Sequence, residues 1–208
     1  MSFPADLAAT LSGNSTAQLY KWRVSGLLIP EIRGDRPPIY SFRDVVALRA
    51  IAFLRARVSL QKIRFAFSSM RELNLTAHPS KYTFFADSKT IAVRDDDGNS
   101  IDLVRFPGQM SPFTLADALE PFSNLHGQPV ADFFRPRPHL LVTEGRLGGW
   151  PTIDGTRVPF DIVAQFLGDD PDEEAFEDLE YFYPGVSREA GADAVAFQAE
   201  VSAHRRSS

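Results

Sequence analysis

The chain has no cysteine, which excludes disulfides, a thiolate nucleophile and cysteine-ligated zinc. No apolar run is long enough to span a bilayer, so no membrane segment is expected. The opening residues, MSFPADLAAT, lack the basic start and unbroken apolar stretch of a secretory signal, and a cytoplasmic location is expected. Histidine is scarce: His78, His126, His139 and His204 stand far apart, without the paired spacing of metal ligands. Asp95, Asp97 and Asn99 resemble the start of a calcium loop, but Gly98 comes too early and Phe106 stands where the closing carboxylate belongs, so a hairpin turn is expected there. Gly-x-Ser-x-Gly, P-loop and His-Glu-x-x-His motifs are all missing. No catalytic residue, metal site or cofactor is therefore assigned, and an enzyme is the weakest of the function classes.

What is present is a globular composition, 208 residues with 44% hydrophobic and 24% charged residues, enough for two or three small domains. The formal charge of -5 hides a division. Residues 14–75 hold eleven Lys and Arg against four Asp and Glu, a formal +7, whereas residues 139–208 hold five against fourteen, a formal -9. A basic segment of this kind is the electrostatic footprint of nucleic-acid binding, although solvated faces would give the same count.

Hydrophobic period and capping residues give a mainly α (α+β) chain in three segments, 1–75, 76–138 and 139–208. In the first, a short helix from Phe3 to Leu11 is broken at Gly13-Asn14-Ser15; Ser15 caps a second helix that ends at Gly26. The Gly- and Pro-rich EIRGDRPPIY follows. Ser41 with Asp44 three residues on opens a third helix, and Ser59 a fourth. The middle segment alternates like a three-stranded antiparallel meander, with turns at Asp87-Ser88-Lys89 and Asp97-Gly98-Asn99. One helix is expected near Leu115 to Phe122. The last segment reads as a glycine-broken ribbon followed by helices over Phe160 to Leu167, Asp172 to Phe182 and Arg188 to about His204.

On the second helix, Leu19 and Trp22 face a core, and Ala17, Gln18, Lys21 and Ser25 fall within an arc of about 100° on the other side. Gln can contact adenine bidentately, Lys can meet guanine or phosphate, and Ala can lie against a thymine methyl. Trp22 reads as a core anchor rather than a stacking platform. The set expected to contact duplex DNA is Ser15, Thr16, Ala17, Gln18, Lys21, Arg23, Arg33, Arg36 and Tyr40, with Arg33 and Arg36 placed to reach backbone phosphates.

Residues 3–75 resemble the DNA-binding domain of the MerR family of winged-helix regulators, through Ser15-Thr16, Gln18-Leu19, Trp22, Gly26-Leu27-Leu28, Pro30, Tyr40-Ser41, Asp44, Leu48-Arg49, Leu54-Arg55, Ser59-Leu60 and Ile63-Arg64. The resemblance implies a winged helix-turn-helix, with the helix from Ser15 in the groove and EIRGDRPPIY as the wing. The Pro37-Pro38 pair departs from a polar wing tip. At the other end, Gly149, Pro151, Ile153, Gly155-Thr156-Arg157-Val158-Pro159 and Tyr183-Pro184 resemble a small helical domain of unknown function that recurs in antitoxins. The two ends together resemble VapB-type antitoxins, whose partner is a PIN-domain ribonuclease toxin. That implies repression of the chain's own operator.

For the C-terminal domain, a homodimer is expected through Thr156, Arg157, Val158, Ile162 and Phe166, against the alternative that its apolar residues form the domain's own core. The run DDPDEEAFEDLEYF places Phe176, Leu179, Phe182 and Tyr183 on one face and reads as a solvated acidic helix. Arg205 and Arg206 are candidates for pairing with carboxylates of the toxin, a frayed terminus being the plain alternative. A stand-alone regulator, whose C-terminal domain dimerises or senses a ligand, is the competing reading.

Overall fold

A computed structural model of the chain describes residues 2–72, 83–86, 91–94, 100–103 and 115–206. It is mainly helical, with small antiparallel strand pairs. The first third carries β1 (Phe3–Pro4), α1 (Ala5–Ser12), α2 (Thr16–Val24), β2 (Ile39–Tyr40), α3 (Phe42–Arg55) and α4 (Leu60–Glu72). The middle holds β3 (Thr83–Ala86), β4 (Ile91–Arg94), β5 (Ser100–Asp102), α5 (Leu115–Leu119), β6 (Phe122–Ser123) and β7 (Pro129–Val130). The last third has β8 (Leu140–Leu141), β9 (Thr152–Ile153), α6 (Phe160–Leu167), α7 (Glu173–Phe182) and α8 (Arg188–Arg206). Among the described residues, no helix is long and apolar enough to cross a membrane, and no cluster of three or more His, Asp or Glu could hold a metal ion.

Local chemistry places the helix starts where the sequence puts them. Ser15 and Ser41 each form a reciprocal capping box, with Gln18 and Asp44 respectively, and Asp172 accepts from the Ala175 amide at 2.9 Å. The meander is present as the sheet β3-β4-β5, antiparallel throughout. Its two turns, including Asp95, Asp97 and Asn99, lie outside the described residues. The ribbon of the last third is the pair β8-β9.

The first and last thirds share one buried cluster rather than packing separately. α1 lies against both α3 and α8. A row of aromatic rings crosses the join: Phe3 stacks on Trp150 at 6.0 Å between centroids, Trp150 on Phe160 at 6.3 Å, and Phe160 meets Phe197 edge-on at 4.9 Å. Trp150 donates its indole N–H to Asp161 at 2.9 Å, so the partly buried ring has no orphaned donor. Gly149 makes the approach possible, because a Cβ on it would lie 2.2 Å from the Phe42 ring and its φ of +86° suits glycine alone.

Arg49, in the middle of α3, is 1% exposed and ties the first third to the connecting segment. Its guanidinium donates to the carbonyls of Leu11 at 2.9 Å, Ala118 at 2.5 Å, Leu119 at 3.2 Å, Glu120 at 3.0 Å and Ala131 at 2.5 Å. The rings of Phe122 and Phe133 lie beneath it, 5.2 and 5.6 Å away. Burial lowers its pKa to about 10, against a smaller opposing pull from Asp132, so the group stays charged at neutral pH.

A candidate nucleic-acid interface

The helix α2 is held at both ends. At its start Ser15 accepts from the Gln18 amide at 3.2 Å while the Gln18 side-chain carbonyl accepts from the Ser15 amide at 2.8 Å. At its end Gly26, with φ of +70°, lets the Gly26 amide reach the Arg23 carbonyl and the Leu27 amide reach the Trp22 carbonyl at 2.9 Å, a Schellman closure with Leu27 and Trp22 both in the core. Leu19 and Trp22 are buried as the wheel predicts. The helix therefore presents a fixed outer face made of Ala17, Tyr20, Lys21 and Val24.

Beside α2 the segment EIRGDRPPIY folds back on itself. The Arg33 and Ile39 main chains exchange hydrogen bonds at 3.1 and 2.9 Å, and β2 then pairs with β1. The Arg33 side chain donates to the Pro37 carbonyl at 2.7 Å, and Arg23 reaches across from α2 to the Gly34 carbonyl. Between helix and loop lies a cleft of about 780 Å³. Thr16, Ala17, Tyr20, Lys21 and Arg23 wall it on one side, Arg36, Pro37 and Pro38 on the other, and Ala5, Leu19 and Tyr40 floor it. Arg23 and Arg36 both sit over the Tyr20 ring, at 5.3 and 5.9 Å from its centroid. Among the described residues, no carboxylate lines the cleft.

Six of the nine residues expected at DNA thus meet around one cleft: Thr16, Ala17, Lys21, Arg23, Arg36 and Tyr40. Three expectations change. Tyr40 is 1% exposed, and burial raises its hydroxyl pKa to about 12, with Arg23 opposing and Asp44 adding; it lies in the floor of the cleft, not on an outward face. Gln18 has its side-chain oxygen committed to the cap, so a bidentate contact with adenine would have to open α2. Arg33 spends its Nε on the loop and sits 3.9 Å from Asp35, which leaves it a loop brace with an exposed head. Tyr20, 48% exposed at the edge of that face, was missed by the sequence reading, although it lies about 100° around the wheel from Leu19.

The end of α8 supports α2 from below. The Thr16 hydroxyl lies 3.5 Å from the His204 carbonyl, and Arg205 grips the Asp6 carboxylate in α1 through Nε at 2.9 Å and Nη2 at 2.8 Å. Within the chain Arg205 thus ties α8 to α1 through Asp6, while its side chain stays 71% exposed. The Arg206 side chain lies outside the described residues. Burial lowers the pKa of His204, with Glu200 and Asp6 opposing.

Of the residues expected at a dimer contact, Thr156 is used within its own turn, its hydroxyl donating to the Ile153 carbonyl at 3.0 Å and accepting from the Val158 amide at 3.0 Å. Val158 packs on the core, while Arg157, Ile162 and Phe166 stay exposed. In α7, Leu179 is buried as expected, but Phe182 is 61% exposed rather than inside.

A family of proteins of unknown function, DUF433, matches residues 142–197, from the end of β8 into α8. No curated protein and no solved structure matches the chain. The match leaves the α2 cleft to be judged on its own chemistry.

Proposed function

We propose that this chain is a DNA-binding antitoxin, which reads its own operator through α2 and the adjoining loop and neutralises a ribonuclease of the PIN-domain kind. The observation that carries the DNA half is the gathering of Lys21, Arg23 and Arg36 around one cleft, with no carboxylate among its described lining residues, beside a helix capped at both ends. Duplex DNA suits such a face: a helix fits the major groove, and cations beside it neutralise phosphates. Val24 and Ala17 on the same face can lie against thymine methyls. The ribonuclease half rests on the resemblance of the C-terminal segment to antitoxin domains.

The test is titration of the chain's upstream promoter fragment by fluorescence anisotropy at several salt concentrations. Lys21→Ala is expected to weaken binding and to reduce the salt slope by about 0.9 if Lys21 meets a phosphate, or to relax preference at one base if it meets guanine. Binding that ignores salt would refute the DNA reading. A ribonuclease encoded beside the gene is expected to co-purify with the chain; failing that, a stand-alone regulator is what remains.

A further inference from the structure

The last third leaves an apolar surface uncovered. On α6, Ile162 and Phe166 are exposed one turn apart, and on α7 Tyr181 and Phe182 are 79% and 61% exposed. The rings form a continuous edge-to-face row: Tyr183 meets Phe166 at 5.6 Å, Phe166 meets Phe182 at 6.0 Å, and Phe182 meets Tyr181 at 5.1 Å. Exposed aromatic rows of this kind mark contact sites.

The charge around it selects the occupant. Between Arg157 and Arg188 the chain has nine Asp and Glu and no Lys, Arg or His. Glu174, Glu177 and Asp178 share the helical face of Tyr181, three to seven residues before it, and all three are exposed. A two-fold contact with a second copy would set these carboxylates against their own images, which disfavours a homodimer through Ile162 and Phe166. A surface that binds single-stranded RNA has the opposite character, with cations for phosphates and apolar or aromatic platforms for bases. Rings flanked by carboxylates offer it both features.

We infer that the aromatic row of α6 and α7, with its acidic flank, docks on the basic RNA-binding surface of the partner ribonuclease and covers it. This rests on the antitoxin reading given above. It moves the inhibitory contact away from Arg205 and onto Tyr181 and Phe182.

The experiment uses the full chain co-expressed with the ribonuclease encoded beside its gene. Tyr181→Ser with Phe182→Ser is expected to weaken the complex roughly thirtyfold, as loss of aromatic anchors does. Glu174→Gln, Glu177→Gln and Asp178→Asn together are expected to slow association and flatten its salt dependence. Single-stranded poly(U) RNA is expected to compete with the wild-type chain for the ribonuclease. Circular dichroism and promoter binding by both variants should match wild type. A complex that forms equally well with both variants, or that poly(U) leaves intact, overturns the docking proposal alone. No complex with the wild-type chain overturns the antitoxin reading and the proposal with it. A wild-type homodimer that sedimentation shows to be split by the ring variant would assign the face to a second copy instead.

Discussion

Replacing Arg49 by methionine isolates what its guanidinium does, because methionine keeps most of the buried length and leaves little cavity. Five carbonyls lose their donor, from Leu11, Ala118, Leu119, Glu120 and Ala131. The Leu11 and Ala118 carbonyls meet it in buried surroundings, where an unsatisfied acceptor costs about 1–3 kcal/mol; the other three are part-buried and can recover water. Replacing a buried ion by an apolar side chain is often neutral when both partners are replaced, but here the acceptors are main chain and remain. The expected loss is about 3–5 kcal/mol, or a fall in Tm on the order of 10 °C for a chain of this length. Arg49→Lys keeps the charge but has three donors for five carbonyls, so it should fall between methionine and wild type. Urea melts followed by circular dichroism measure both, with m compared to exclude a change in compactness. If Arg49→Met stays within about 1 kcal/mol of wild type at unchanged m, the guanidinium does not hold α3 to the connecting segment and the reasoning is wrong.

Gly149→Ala should cost several kcal/mol, since the new methyl would sit 2.2 Å from the Phe42 ring at a φ of +86°; Phe42→Ala in the same chain should recover part of the loss, and additive effects would disprove the clash. Arg205→Ala leaves the Asp6 carboxylate, whose side chain is 8% exposed, without its ion pair, and should lower stability by about 1 kcal/mol in a urea melt while leaving ribonuclease binding intact; a lost complex at unchanged stability would return Arg205 to the partner contact. His204 has a folded-state pKa below its ordinary 6.5, so the unfolded chain binds the proton more readily. Its contribution to stability is complete above pH 6.5 and is lost as the pH falls through the lower folded value; His204→Gln should flatten that part of the stability profile, and an unchanged slope would count against burial as the cause.

What the sequence shows well is chemistry that closes within a few residues. Ser15, Ser41, Ser59 and Asp172 each mark a helix start, and the glycine at 26 marks an end, because a cap and its partner are neighbours in the chain. The same nearness set a trap at Gln18. Ser-x-x-Gln is the capping-box spacing, and a side-chain oxygen spent on the Ser15 amide cannot also read a base. Tyr40 misled for another reason: it follows a proline-rich loop, and only the pairing of β2 with β1, 35 to 37 residues earlier, carries it inside. Arg49 was visible as a cation in an apolar helix, yet four of its five acceptors lie 69 to 82 residues further on.

Phe182 shows where helical period stops deciding burial. It shares a stripe with Leu179 and Phe176, and the period places all three on one side of α7. Burial requires something on that side. α6 and α8 both pack against α7 and cover Leu179 completely, with Gly191 of α8 so close that a Cβ there would come within 2.7 Å of it. Phe182, in the last turn, meets the rings of Phe166 and Tyr181, both of them exposed. A stripe longer than the elements that cover it leaves its end in water, at a cost of about 25 cal/mol for each Å² of apolar surface left out. A carboxylate-flanked ring pair in that position is worth keeping exposed only if something else covers it, which is why Tyr181 and Phe182 are the residues to change first.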